Sequence, residues 1–291
     1  MPELSIIIPT HKRADILKQC LEHLERQTVG SKLEVIVVSD GHDEETVNLF
    51  SNTDWKIPVE FMEIEKSQQG VARNYGVQKA QAPTCLFIGD DIFLEKDACE
   101  AHLVMHSFAE SDEFAHHGTT AVLGHTTWDP NLEITPVMQW LEDSGWQFGY
   151  RLLKPYTMKF IPKKTQHRFT YTSHISLPTE VAKDVAFQED VSLYGWEDIE
   201  WGMRLRDAGV RLFYNDKAKG FHHHSLTLEQ SLERMETLGK SIVHITEKVP
   251  TLDRLPSWWK RWVMKVLIVL SPKSLASQHR KAFLEGIAKE K

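Results

Sequence analysis

Two pairs of adjacent carboxylates and a run of three histidines are the residues of this chain best equipped for chemistry. Asp90-Asp91 follows an apolar run and precedes Ile92-Phe93-Leu94, which places two like charges on a short turn at the edge of a buried sheet. Their repulsion demands compensation. A hard divalent cation, Mg²⁺ or Mn²⁺, bridging diphosphate oxygens would supply it, although a plain turn or helix cap also favours Asp. Glu197-Asp198 comes after Gly195-Trp196 and opens a helical pattern. The helix dipole there favours an ionised carboxylate, the form a general base needs to take a proton from an attacking alcohol, and the same residues would equally decorate an ordinary first turn. His222-His223-His224 ends an apolar, strand-like run, so alternation puts His222 and His224 on one face and His223 on the other. One of them could complete a metal site, and hydrogen-bonded or solvated histidines are the plainer alternative. His102 and His106 lie one helical turn apart with no His-Glu-x-x-His pattern, which disfavours a zinc hydrolase and leaves them as helix-surface or acceptor-site residues.

Strands and helices must alternate to carry these groups. Leu4–Pro9, Leu33–Ser39, Val59–Ile64 and Thr84–Gly89 are short runs rich in β-branched and aromatic residues and read as strands. Between them Ile16, Leu17, Cys20, Leu21 and Leu24, then Glu44 to Phe50, then Val71 to Ala80, have helical spacing. Near-continuous apolar strands separated by helices imply a mostly parallel sheet covered on both faces. Ligands of such a sheet sit at the carboxyl ends of its strands. The polar residues at those ends are Pro9-Thr10-His11-Lys12-Arg13, Ser39-Asp40-Gly41 and Gly89-Asp90-Asp91, three tips expected to converge on one ligand. A helix from about Lys96 to Ser111 follows, then a loop-rich stretch over 112 to 190. Regularity returns with a helix over 195 to 209 and a strand over Val210 to Tyr214.

The bulk properties exclude several classes. With 291 residues, 41% hydrophobic and 26% charged, the chain can bury a sizeable core and is neither disordered nor repetitive. Cys20, Cys85 and Cys99 make no paired framework, which fits a reducing compartment. The start, Met-Pro-Glu-Leu-Ser, lacks the basic region of a signal peptide, so a cytoplasmic chain is expected. No Gly-x-Gly-x-x-Gly or P-loop pattern follows the first strand, so dinucleotide-dependent and P-loop chemistry recede. Residues 1 to 253 hold 25 Lys/Arg against 39 Asp/Glu, an acidic body ill suited to nucleic acid, whereas Arg254 onward holds nine Lys/Arg against two Glu.

Taken in order, the tips resemble those of family 2 glycosyltransferases with the GT-A fold, over roughly residues 3 to 225. Ser5–Arg13 looks like that family's first strand and nucleotide loop, and Val37–Gly41 like its second strand, whose Asp, here Asp40, would hold the base. Gly70-Val-Ala-Arg-Asn-Tyr-Gly76 matches a Gly-x-Ala-Arg-Asn-x-Gly segment, Phe87–Ile92 the Asp-x-Asp region, and Trp196–Glu200 the Glu-Asp motif. The resemblance implies an α/β fold: a Rossmann-like mixed, mostly parallel sheet flanked by helices, with a C-terminal helical tail. A catalytic domain would span 1–225, its nucleotide-sugar half about 1–110 and its acceptor and metal half about 111–225, and the tail 226–291. Pro9, Thr10, His11, Arg13, Asp40, Arg73 and Asp90 would then face a nucleoside-diphosphate sugar, and Asp91 and His222 the metal. Asp198, with Glu197, would activate a hydroxyl acceptor for inverting transfer, and Trp196 and His174 would lie on the acceptor side. The acceptor would be a glycan or lipid-linked glycan of the cell envelope. Two positions depart from the pattern: Gly89 replaces the first Asp of Asp-x-Asp, and His174 stands where Asn is frequent. A sugar-phosphate nucleotidyltransferase, or a silent glycan- or nucleotide-binding partner using Trp128, Trp140, Trp146, Tyr150 and Tyr156, are the alternative readings.

Within the tail, Trp258 to Leu270 is an amphipathic helical run, tryptophans and aliphatics on one half and Lys260, Arg261 and Lys265 on the other. At about 1.5 Å per residue it is too short to cross a bilayer core of about 30 Å. Two readings stand equal: a peripheral helix on the inner face of the cytoplasmic membrane, contacting it through 254–284, or a helix packed on protein.

Overall fold

The computed structural model describes residues 1–109, 111, 116–189, 195–252 and 254–290. Its first half is built from β1 (Leu4–Thr10), α1 (Ala14–Leu24), β2 (Leu33–Asp40), α2 (Glu44–Ser51), β3 (Val59–Ile64), α3 (Gln69–Lys79), β4 (Thr84–Ile88), β5 (Ile92–Leu94) and α4 (Ala98–Ala109). Then come β6 (Thr120–Trp128), α5 (Pro136–Ser144), β7 (Lys159–Phe160), β8 (His174–Pro178), α6 (Thr179–Asp184), α7 (Glu197–Asp207) and β9 (Arg211–His222). Three helices close the chain: α8 (Leu228–Lys248), α9 (Trp258–Leu270) and α10 (Leu275–Lys289). The boundary expected near 110 between the two halves falls at residues outside those described, whereas Ser111, the expected end of α4, is described and lies past the helix, which runs to Ala109.

One sheet runs in the order β3-β2-β1-β4-β8-β6-β9-β5, with β7 paired to β9. β1 to β4 are mutually parallel, β8 is antiparallel to both its neighbours, and β6 and β9 are again parallel. The sheet is therefore mixed, with β5, β7 and β8 opposing the rest. Strand alternation sorts the core onto two faces. Ile6, Ile8, Val35, Val37 and Leu86 pack under Leu17, Leu21 and Leu24 of α1, while Ile7, Ile36, Val38 and Phe87 pack with Ala72 and Val77 of α3. Gly76 is required for the second contact, because a Cβ there would lie 2.6 Å from Ile7 Cγ2.

The stretch over 112 to 190 is less irregular than its sequence suggests. It supplies β6 and β8, two strands of the sheet's centre, and both are buried on both faces, which erases the polar alternation that would have revealed them. β9 is likewise longer than its expected Val210–Tyr214. It continues to His222 past a register shift, Leu123 pairing with Tyr214 but His125 with Lys219. His102 and His106 are corrected outright. Both are buried rather than on a helix surface or at an acceptor site, and both rings hydrogen-bond Ser176 Oγ, at 2.7 and 2.8 Å.

Candidate active site

The tips of β1 and β4 meet. Asp90 Oδ2 accepts a hydrogen bond from Thr10 Oγ1 at 2.8 Å, and Arg13 bridges both carboxylates, Nη1 to Asp90 Oδ1 and Nη2 to Asp91 Oδ2, each at 2.9 Å. Pro9 pairs with Val38 inside the sheet, and the neighbouring His11 keeps a buried Nδ1 without a partner among the described residues. Burial and the charge of Asp91 push Asp90 up to about 7, against Arg13 and Thr10. Burial would also raise Asp91, but the hydrogen bond and charge of His222, aided by Arg13, hold it well below the usual carboxylate range. Gly89 has a steric role where an Asp was the family expectation: Asp91 Oδ1 lies 2.8 Å from the position a Cβ would take, so the bare backbone makes room for that carboxylate.

The antiparallel pairing of β5 with β9 sets Ile92 opposite His222 and brings the histidine run over Asp91. His222 Nε2 is 3.4 Å and His224 Nδ1 3.9 Å from Asp91 Oδ2, and the two rings stack on each other at 5.5 Å. One ligand atom from each of these three residues lies within 4.8 Å of the others, a spacing suited to one cation. His223 points the other way, as alternation requires, and bonds Asp129 Oδ2 at 2.7 Å. A carboxylate with two imidazoles fits Mn²⁺ better than Mg²⁺, which prefers oxygen alone. His224 was visible in the sequence only as a face-mate of His222.

The second acidic pair sits at the start of α7. Asp198 Oδ1 accepts from Thr172 Oγ1 at 2.6 Å and Oδ2 from Thr172 N at 3.2 Å, while the Asp198 carbonyl accepts from Thr170 Oγ1 at 2.6 Å. Glu197 keeps Oε2 buried and unpartnered among the described residues. The dipole expectation is reversed here: burial raises both pKa values, for Glu197 together with the charge of Asp198, and for Asp198 against Arg73 and Thr172.

Arg73 is within electrostatic reach of both acidic pairs. Its guanidinium is buried 5.6 Å over the ring of Phe187, with Nε and Nη1 unpartnered among the described residues. Burial lowers its pKa, while the charges of Asp198, Glu197 and Asp90 pull the other way. An aromatic path also links the centres. Phe148 stands edge-on to His222 at 5.4 Å and to Tyr171 at 5.5 Å, and Tyr171 precedes the Thr172 that holds Asp198.

Two cavities open around this arrangement. One of about 240 Å³ is lined by Asp40, Lys66, Gly70, Phe187, Glu197 and Glu200, with Asp40 held by Lys66 Nζ at 2.7 Å and Ser67 N at 2.6 Å. The other, about 650 Å³, is lined by Trp128, Glu142, Phe148, Tyr150, Arg151 and His222 among others. Of the three strand tips only Asp40 lines the first cavity, and His222 lines the second; neither cavity is lined by Asp91 or Asp198. The acceptor-side expectation for His174 fails. His174 is wholly buried in β8, its ring against the bare Cα of Gly124, its Nδ1 paired with Thr126 Oγ1 at 3.2 Å and its pKa pushed down to about 3. Trp196 turns to α8, its Nε1 donating to Leu238 O and Ser241 Oγ, and so anchors α7. Thr172, Lys66 and Phe187, which hold Asp198, Asp40 and Arg73, had no sequence signal, since each acts on a residue far from it in the chain.

Comparison with known proteins bears on the family and the fold. A family profile described as glycosyl transferase family 2 matches residues 5–171. The chain is 25% identical over 236 residues to validoxylamine A glucosyltransferase of Streptomyces hygroscopicus subsp. jinggangensis, covering 76% of this chain and 55% of that protein. It is 24% identical over 289 residues to chondroitin synthase of Pasteurella multocida, covering 86% of this chain and 28% of the synthase. The chain thus spans about half the length, or less, of these curated relatives. Among solved structures, the mannosyltransferase PcManGT of Pyrobaculum calidifontis, in complex with GDP-Man and Mn²⁺, aligns with a TM-score of 0.62 at 12% identity, covering 99% of this chain and 87% of that one. S. aureus TarS 1-349 in complex with UDP aligns at 0.55 and 16% identity, covering 100% and 88%. At such identities the likeness is one of fold.

Proposed function

The chain belongs to glycosyl transferase family 2, and from that membership we propose that it moves a sugar from a nucleoside-diphosphate sugar to a hydroxyl acceptor with inversion at the anomeric carbon. The observation that carries the reading is a buried Arg73 that feels the charges of both acidic pairs, Glu197 and Asp198 from one and Asp90 from the other, with two imidazoles gathered on Asp91 and threonine hydrogen bonds on Asp198. Asp40 and the small cavity receive the nucleoside end of the donor, and Thr10, Arg13 and Asp90 border its diphosphate. Arg73, with two nitrogens unpartnered among the described residues, is suited to meet the charge that develops as the sugar leaves. Asp91, His222 and His224 would hold Mn²⁺, and such an ion supplies neutralisation of the departing diphosphate.

Asp198 is the general base. Thr172 fixes its carboxylate, whose remaining lone pairs take the acceptor hydroxyl proton as the oxygen bonds to the anomeric carbon. The sugar–phosphate C–O bond breaks with its electron pair passing to the diphosphate, and attack from the opposite face inverts the centre. Glu197, with a buried oxygen unpartnered among the described residues at the cavity wall, orients a donor hydroxyl. The larger cavity, with Trp128 and Tyr150 in its wall and His222 shared with the metal site, accommodates a glycan acceptor by stacking. On this reading residues 1–225 carry the chemistry and 226–291 support it. The Asp198→Asn variant is expected to lose transfer by at least about a thousandfold while keeping donor affinity within a few-fold, because it removes the base alone. Near-normal turnover of that variant, measured by release of nucleoside diphosphate with acceptor present, would refute the assignment.

A further inference from the structure

Helix α9 is docked with its polarity reversed. In a helix packed on a core the apolar stripe faces inward, whereas among the described residues of α9 none is buried, and its largest apolar side chains face solvent. Trp258 and Val269 are 78% exposed, Leu270 72%, Trp262 62% and Trp259 52%. At 3.6 residues per turn these five project to one side, with Val266 between them. Met264, on the opposite side, joins the cluster of Ile242, Ile245, Phe283 and Ile287 from α8 and α10. The helix is thus fastened by a narrow rear edge and presents its broad apolar face outward.

The charges complete the pattern. With the exposed Val263 and Leu267 widening that face, Lys265 borders it beside Trp258 and Lys260 beside Leu267, the Lys260 ammonium standing 5.6 Å over the Trp259 ring. No acidic residue occurs between Arg254 and Leu284, although the body as a whole is acidic. Thirteen residues give about 20 Å of helix, and among the described residues no helix is long and apolar enough to cross a membrane. We infer that α9 lies in the interfacial plane of an anionic lipid bilayer, its Trp-rich face among the acyl chains and its flanking lysines against acidic headgroups. A second copy of the chain fits the same face less well. Pairing about a two-fold axis would set one copy's Lys260 and Lys265 against the other's with no acidic partner nearby, whereas an anionic surface satisfies them. Because Met264 shares its cluster with Trp196 and Ile199, the bound surface would lie at a fixed orientation to the start of α7.

The test uses the full chain and a readout independent of sugar transfer: flotation with vesicles of phosphatidylcholine, with and without phosphatidylglycerol. Binding should need the anionic lipid, weaken at high salt and shift tryptophan emission to the blue. A Trp258→Ser, Trp262→Ser, Val269→Ser variant and, separately, a Lys260→Gln, Lys265→Gln variant should each cut partition by at least about tenfold with the parent's thermal midpoint. The parent failing to float with anionic vesicles overturns the inference, as does undiminished binding by both variants. So does a dimer in sedimentation velocity that the serine variant dissociates while no vesicle binding occurs, which would assign the face to a second copy.

Discussion

Among the described residues Thr172 holds both carboxylate oxygens of Asp198, so it sets where the proposed base points and contributes to how readily it ionises. Burial raises the Asp198 pKa, and the Thr172 hydrogen bonds act in the opposite direction. The base is needed ionised, so activity should fall as pH falls, along a limb lying above the ordinary carboxylate range. Removing the hydroxyl removes one of the groups that favour the charged form. Thr172→Val should therefore move that limb to higher pH and lower kcat by roughly ten- to a hundredfold with donor KM little changed, and Thr172→Ser should restore both. A pH–rate profile of the three proteins checks this, and an unmoved limb in Thr172→Val would remove Thr172 from that role. The example also marks how much of the site the sequence disclosed. Adjacent carboxylates at strand and helix ends announce themselves through local pattern, so Asp90, Asp91, Glu197 and Asp198 were readable. Thr172 acts across 26 residues, Lys66 on Asp40 across 26, and Phe187 on Arg73 through a ring contact, none with a local period to betray it.

At the level of elements, legibility followed exposure. α1 buries one face and exposes the other, and its spacing is plain in the sequence, whereas β6 and β8 are enclosed on both faces and lack the contrast that periodicity needs. What encloses β8 is partly the histidine cluster of α4. His102 and His106 share Ser176 Oγ, and His174 packs 5.1 Å from His102. Burial pushes His106 down to about 4, so near pH 5 the folded chain keeps this ring neutral while the unfolded chain, at about 6.5, takes up a proton. The contribution of His106 is therefore whole above about 6.5 and is lost as pH falls toward about 4. Buried acids with raised pKa values, Asp90 among them, drift in the other direction, so only a difference isolates the histidine. The cost of His106→Gln, read from urea midpoints, should be smaller at pH 4.5 than at pH 7 by roughly 2 kcal/mol. A cost independent of pH would mean that His106 titrates normally in the folded chain.

Across the whole molecule, the tail is bound into the catalytic body and is no appendage to it. Gly239 of α8 and Gly286 of α10 face each other so closely that a Cβ on Gly286 would lie 2.0 Å from Glu236 O, and one on Gly239 2.2 Å from Phe283 O. That contact fixes the α8–α10 pair, whose Ile242, Ile245, Phe283 and Ile287 form one cluster with Trp196, Ile199 and Met203 around the start of α7. Trp196 adds hydrogen bonds to Leu238 O and Ser241 Oγ. Position and orientation of Glu197 and Asp198 thus depend on residues forty and more positions downstream. Cutting the chain after residue 225 would uncover that cluster and release the N-terminus of α7, so the 1–225 fragment should aggregate or lose at least about a hundredfold in kcat. Gly286→Val tests the same coupling without truncation. By forcing α10 off α8 it should lower the thermal midpoint by several degrees and reduce kcat more than donor affinity, since the nucleoside cavity is lined by residues of β2, α3, α7 and their loops and by none from the tail. A Gly286→Val protein with lowered stability but unchanged kcat would show that the tail stabilises the fold without positioning the base.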